Sequence, residues 1–356
     1  MMTEAIPKCT HMKPNFTSLN FWWMCYVFCQ TLAPSAVAQG LATPTFRGLN
    51  FVAPPEPFTA DPMKAIKNLG CNWIALIPYA FAEAGKPDVH FSNLSWQWWG
   101  ETESGIQESI RLAKRSGIQV MLKPQVYMHN AWVGTMSFGH EKDWLAWENA
   151  YREYIMFYAG MAAKHRLQLF CISTEFDRAA ILRESFFRTL ICDIRSIYKG
   201  KLVYSANWDQ YQNIPFWDQL DYIGISAYFP LRDDKVPEIP DLIQAWEIPI
   251  QHLENYSMRL QKPLLFTEFG YLSVEGCAGK TWELEKCLDQ IPINQKAQAN
   301  ALEALFCCFW NQSWWAGGFL WKWYPEGKGH EGHPERDYTP QNKRAVNVLK
   351  NWYCGP

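Results

Sequence analysis

Leu169-Phe170-Cys171-Ile172-Ser173-Thr174-Glu175-Phe176 is a mostly apolar run with a carboxylate at its penultimate position. It is short, bulky and β-prone, as a buried strand should be. Helical periodicity flanks it on both sides, over Asp143–Lys164 and Ser185–Tyr198. The alternation repeats outward in both directions. Strand-like runs start at Gly48, Trp73, Gln119, Lys201, Tyr222, Pro263 and Gly317. Helical patterns cover Asp61–Leu69, Glu103–Ser116, Asp241–Leu260, Lys296–Asn311 and Gln341–Trp352, with a short turn near Pro215–Gln219. Gly70, Gly117 and Gly200 follow helices, where left-handed C-terminal caps are expected. Eight strand–helix units pair in parallel through right-handed crossovers and close on themselves. The expected fold is one (β/α)8 barrel over residues 47–353, a single domain.

The N-terminus has a different character. Lys8, His11 and Lys13 precede a mostly apolar stretch from Leu19 to Leu32, and Ala36-Val37-Ala38 then supplies a small-x-small cleavage pattern. The stretch is too short to span a bilayer comfortably, which takes about 20 residues. Residues 1–38 are therefore expected to be a signal peptide and 39–46 a linker, giving a secreted or periplasmic protein without stable membrane association after cleavage. An uncleaved anchor is the alternative.

Composition narrows the chemistry. Lys+Arg 33 nearly balance Asp+Glu 35, so the chain lacks the basic surface a nucleic-acid binder needs. Trp 19, Tyr 16 and Phe 21 exceed what a core requires, and suit surfaces that stack flat, hydroxyl-edged ligands. No cysteine pair or His/Cys cluster has metal-ligand spacing, and His330 and His333 with Glu331 and Glu335 read as a solvated Gly-rich loop. Neither metal nor cofactor is expected. Cys277 and Cys287 share a polar loop, where a local disulfide is one possibility.

In such a barrel the chemistry sits at the carboxyl ends of the strands. Alternation turns Lys123 and Gln125 inward on the third strand, and Cys171, Ser173 and Glu175 inward on the fourth. The fifth offers Ser205 and Asn207, the sixth Tyr228, the seventh ends Phe266-Thr267-Glu268, and the eighth carries Trp321 and Trp323. A single strand-end glutamate would be read as a partner for a base such as Lys123. Two across one mouth suggest the paired acid and nucleophile of glycoside hydrolysis.

The ordered set Leu122-Lys123-Pro124, Trp132, Phe170 to Phe176, Phe266-Thr267-Glu268-Phe269-Gly270-Tyr271, Leu320-Trp321-Lys322-Trp323 and Asp337-Tyr338-Thr339-Pro340 resembles glycoside hydrolase family 113. That family contains endo-β-1,4-mannanases and belongs to the large clan A of retaining glycosidases. The resemblance runs from about Gly48 to Tyr353, and implies Glu175 as general acid/base and Glu268 as nucleophile. Most of the clan carries asparagine before the acid/base glutamate; Thr174 stands there in this chain, as in family 113. The resemblance also implies a histidine after Lys-Pro and an acidic residue two positions later, where this chain has Gln125 and Tyr127.

Chemistry suggests the remaining roles. Trp321 reads as a platform for the pyranose face, with a packed barrel-wall aromatic as the alternative, and Trp132 reads equally as a neighbouring subsite or as core or surface packing. Tyr228 is expected to donate to Glu268, with ordinary packing as the alternative, while Lys123 and Asn207 are expected to bind sugar hydroxyls, a structural ion pair being the other reading of Lys123. Trp96, Trp98 and Trp99 read as a local aromatic cluster, with a distal subsite as the alternative. The expected activity is cleavage of β-mannan or manno-oligosaccharides. A sister activity on β-glucan or β-galactoside, or a silent carbohydrate-binding barrel, is the alternative.

Overall fold

The computed structural model describes residues 45–91, 96–327 and 332–355. The expected export segment, nearly all of the linker, and His330 and Glu331 lie outside the described residues. Among the described residues ten strands are formed: β1 (Phe46–Phe51), β2 (Trp73–Leu76), β3 (Tyr79–Ala82), β4 (Gln119–Leu122), β5 (Gln125–Met128), β6 (Leu169–Thr174), β7 (Lys201–Asn207), β8 (Tyr222–Ser226), β9 (Leu264–Phe269) and β10 (Trp315–Trp323). Eight of them close a barrel in the order β1-β2-β4-β6-β7-β8-β9-β10. Each barrel pair is parallel.

The helices are α1 (Met63–Asn68), α2 (Glu103–Arg115), α3 (Glu141–Lys164), α4 (Asp177–Leu182), α5 (Glu184–Ile197), α6 (Ile239–Leu260), α7 (Thr281–Leu284), α8 (Gln295–Phe309) and α9 (Ala345–Cys354). Local chemistry fixes their ends. The Thr102 hydroxyl caps α2 by accepting from the Gly105 amide, with Glu103 in the first turn and Lys114 and Arg115 in the last. Gly70 and Gly117 take the left-handed conformation expected of them (φ 79° and 70°). Gly200 does not. The chain leaves α5 through an extended Tyr198, and a Cβ on Gly200 would meet the Tyr198 hydroxyl at 2.1 Å, so here glycine provides room.

Two expected strands are each broken in two. The runs from Trp73 and Gln119 pair in the barrel only as far as Leu76 and Leu122. Pro78 and Pro124 follow, and a proline cannot donate to a ladder. Beyond them β3 and β5 form a separate two-stranded parallel sheet, with Tyr79 beside Gln125 and Phe81 beside Tyr127. The Tyr154 hydroxyl of α3 bonds the carbonyls of Pro78 (2.7 Å) and Gln125 (3.0 Å), pinning both breaks.

The barrel interior is filled from below by Phe46, Trp73, Ala75, Met121, Leu169, Cys171, Val203, Leu265 and Phe319. Gly48 makes this packing possible, because a Cβ there would lie 2.4 Å from the Phe319 ring. Truncating a ring this buried costs about 3–5 kcal/mol. Above the apolar plug, the Ser205 hydroxyl meets those of Thr267 (2.6 Å) and Ser226 (3.1 Å). This hydroxyl layer is the floor of the mouth. The eight cysteines among the described residues are free thiols. The possible Cys277–Cys287 bridge is absent: Cys277 is wholly buried, while the Cys287 thiol faces the Glu283 carbonyl.

Candidate active site

Both strand-end glutamates reach the mouth where regular alternation fails. On β6 the register with β7 slips between Cys171 and Thr174. Ser173, which strict alternation turns inward, lies against the Tyr151 hydroxyl of α3 instead, and Thr174 is the residue beside Cys171. Glu175 then adopts a left-handed backbone (φ 56°), its amide held by the Ser205 carbonyl at 2.8 Å. On β9, Leu265 and Thr267 occupy the interior, so a period of two would turn Glu268 away. The register with β8 slips at this point, and Glu268 pairs with Ser226.

The two carboxyls are held very differently. The buried Lys123 ammonium forms an ion pair with Glu268 Oε1. Gln125 donates to the same oxygen at 2.7 Å, and the Tyr228 hydroxyl donates to Oε2 at 2.9 Å. Three side-chain donors, from just after β4, the start of β5 and just after β8, fix one carboxylate. Lys123 is thus engaged as the ion-pair partner rather than as a free hydroxyl ligand, with its ammonium 5.4 Å from the Trp321 ring centre. Glu175 has one side-chain hydrogen bond of good geometry, accepting the Trp132 indole N–H at Oε2 (3.0 Å). Burial raises its pKa, and the neighbouring Glu268 charge raises it further, against partial relief from Trp132, Ser226 and Lys123.

A cleft of about 630 Å3 opens over these groups. All the expected site residues except the enclosed Lys123 line it: Glu175, Glu268, Trp132, Asn207, Tyr228 and Trp321. The Asn207 side-chain Oδ1 also accepts from the Trp208 backbone amide, fixing the turn after β7. Several lining residues escaped the sequence reading. Trp208 and Trp282 stack at 5.9 Å to form one wall, with Asp209 and Glu285 nearby in the lining. Trp208 and Asp209 directly follow the strand-end Asn207, a signal that would have found them; Trp282 lies in the four-residue α7 and Glu285 directly after it, a segment too short to show periodicity.

Tyr338, quoted above only as part of a motif, links the site to the fold. Its ring packs 5.8 Å from Tyr228 and its hydroxyl donates to Glu285 at 2.6 Å. Asp337 anchors that segment, accepting from the Tyr324 hydroxyl and the Thr339 amide and pairing with Lys322 and Lys343. Asp177, two residues beyond Glu175, is buried with neither carboxyl oxygen in a hydrogen bond of good geometry. Burial, then the Glu175 and Asp209 charges, push its pKa up to about 8, opposed only by the Asn207 backbone. Among the described residues no group of three His, Cys, Asp or Glu side chains is arranged to hold a metal ion.

Residues 55–343 match the family model described as Glycoside Hydrolase Family 113. The chain belongs to glycoside hydrolase family 113. Solved structures agree. A family 113 β-mannanase of Alicyclobacillus acidocaldarius in complex with ManMIm is 25% identical with a TM-score of 0.75, over 87% of this chain and 97% of that one. A second family 113 structure, a β-1,4-mannanase complex, is also 25% identical (TM-score 0.73), over 88% of this chain and 100% of that one. A β-glucuronidase of Ruminococcus gnavus, 13% identical with a TM-score of 0.53, covers 82% of this chain against 46% of its own and shares the fold alone. No curated protein matches the chain in sequence.

Proposed function

We propose that this family 113 chain is a retaining β-mannanase, cleaving β-1,4-mannosidic bonds in mannan or manno-oligosaccharides by double displacement. One observation carries the reading: two carboxyls share a cleft, one clamped by three donors and the other buried with a raised pKa. The first is prepared as a nucleophile and the second as a proton donor. Glu268 attacks the anomeric carbon while Glu175 gives its proton to the departing glycosidic oxygen. Glu175, now a carboxylate, takes a proton from water as that water displaces Glu268 from carbon. Both carboxyls return to their starting states, and no cofactor enters the cycle.

Trp321 supplies the flat apolar face beneath the reacting sugar, while Trp132 and Asn207 contact hydroxyls or rings beside it. Mannan as substrate rests on the two family 113 neighbours being β-mannanases. A panel of β-mannan, glucomannan, β-glucan and β-galactan tests it, with products sized and their first-formed anomer read by NMR. Release of β-configured products from mannan is expected. Cleavage of β-glucan or β-galactan without mannan would replace the substrate, and α-configured first products would replace the mechanism. Binding with no release from any polysaccharide would favour a silent carbohydrate-binding barrel. Export belongs to the same proposal, supported by the apolar Leu19–Leu32 stretch and Ala36-Val37-Ala38. The exported protein should begin at or near Gln39.

A further inference from the structure

The small sheet outside the barrel has one buried and one open face. Ala80, Ala82, Val126 and Met128 are buried against the core. The opposite face carries Tyr79, Phe81, Gln125 and Tyr127, paired side by side by the register. Tyr127 is 50% exposed, and Trp96, edge-on to Phe81 at 4.3 Å, is 59% exposed. Phe81 also meets the Tyr127 ring at 6.1 Å. Solvated aromatic clusters of this kind mark binding surfaces.

We infer that Phe81, Trp96 and Tyr127 form an outer sugar-stacking platform for a β-linked hexopyranose chain whose reacting end lies in the cleft. The inference rests on the polysaccharide-cleaving reading above. Continuity identifies the occupant. Gln125 holds the Glu268 carboxylate, and Tyr127 lies on the same strand face about 7 Å further out. A chain leaving the cleft along β5 therefore runs onto these rings. The platform follows β2 and β4, which stand across the barrel from β8 and β9. It thus extends the cleft on the side away from the Trp208–Trp282 wall. The apolar ring faces and single Tyr127 hydroxyl match a neutral pyranose better than a charged ligand. Tyr127 stands where the family resemblance implies an acidic residue, so the aromatic is a feature of this chain.

The test compares the full chain with the Trp96→Ala/Tyr127→Ala double variant and with Tyr127→Phe. Both altered side chains are exposed, and neither touches the two glutamates. For polymeric mannan the double variant should raise KM by roughly three- to tenfold, the effect of losing two stacking rings. Tyr127→Phe should keep most of the affinity. Turnover of an activated aryl mannoside, too short to reach the rings, should be unchanged. Equal KM on polymer for variant and wild type would overturn the platform. So would equal losses on polymer and aryl mannoside, or a change of oligomeric state as the sole effect. If the wild type cleaves a different β-glycan, the mannan reading fails separately, and the same comparison on that glycan decides the platform.

Discussion

The Trp132 indole N–H donates to Glu175 Oε2 at 3.0 Å, so a residue on the loop after β5 tunes a carboxyl at the end of β6. Burial and the Glu268 charge raise the pKa of Glu175; this hydrogen bond favours the ionised form and opposes them. A general acid must be protonated, so kcat/KM should fall as pH rises through the Glu175 pKa. Trp132→Phe removes the donor and keeps the ring position apolar. The alkaline limb should then move to higher pH, because the lost hydrogen bond favoured the ionised carboxylate. A limb that stays in place would mean that another group sets it.

Lys123 and Glu268 form a buried ion pair, and such pairs are costly to break from one side. Lys123→Met leaves the carboxylate with only the neutral donors Gln125 and Tyr228. Thermal unfolding should register a loss of about 3–5 kcal/mol, and activity on mannan should drop by at least about a hundredfold. Adding Glu268→Gln to that variant removes the stranded charge. Stability should then recover substantially while activity does not. Additive losses in the double variant would show that the pair is energetically uncoupled.

The barrel was legible because its signal is periodic: apolar runs ending at Phe51, Glu175 or Phe269 alternate with amphipathic helices such as α2 and α5. Pro78 and Pro124 carried the strand breaks in plain view, but not the second sheet that β3 and β5 form beyond them. Glu268 was found by its strand-end position alone; Glu175 was also turned inward by alternation, but it reaches the cleft through a register slip that alternation does not contain. Strict alternation gave Ser173 the interior, and the slip between Cys171 and Thr174 reversed it. Such slips depend on how neighbouring strands pair, which no single strand encodes. The stacked pair Trp208–Trp282 was hidden for a similar reason, since it joins the turn after β7 to the short α7, far apart in the chain.

Asp177 offers a test of burial that is separate from turnover. Its pKa is raised from 3.8 to about 8 in the folded protein. Between those values the folded state keeps a proton that the unfolded chain releases, so this residue's contribution to stability declines as pH rises from about 4 to 8. Asp177→Asn removes the titration. The variant's Tm advantage over wild type should therefore grow from pH 5 to pH 8, and level off below about pH 4. Calorimetry at several pH values checks this. A Tm difference independent of pH would mean that Asp177 stays ionised in the fold.

The roles of the two glutamates can be separated with substrates whose leaving groups need no proton, such as dinitrophenyl β-mannosides. Glu268→Ala removes the atom that bonds to the sugar, and turnover should vanish on every substrate. Glu175→Ala should spare the first step on the activated substrate, because no acid is required there. The covalent intermediate should then accumulate, since no base remains to activate water, and a burst of dinitrophenol should precede a slow steady state. Azide is small and needs no base. Added to Glu175→Ala, it should speed turnover and give the β-mannosyl azide, the configuration kept through two inversions. Added to Glu268→Ala, it can attack only directly, and the product should be the α-azide. The reverse pattern would exchange the two roles, and near-native activity in both variants would remove catalysis from this cleft.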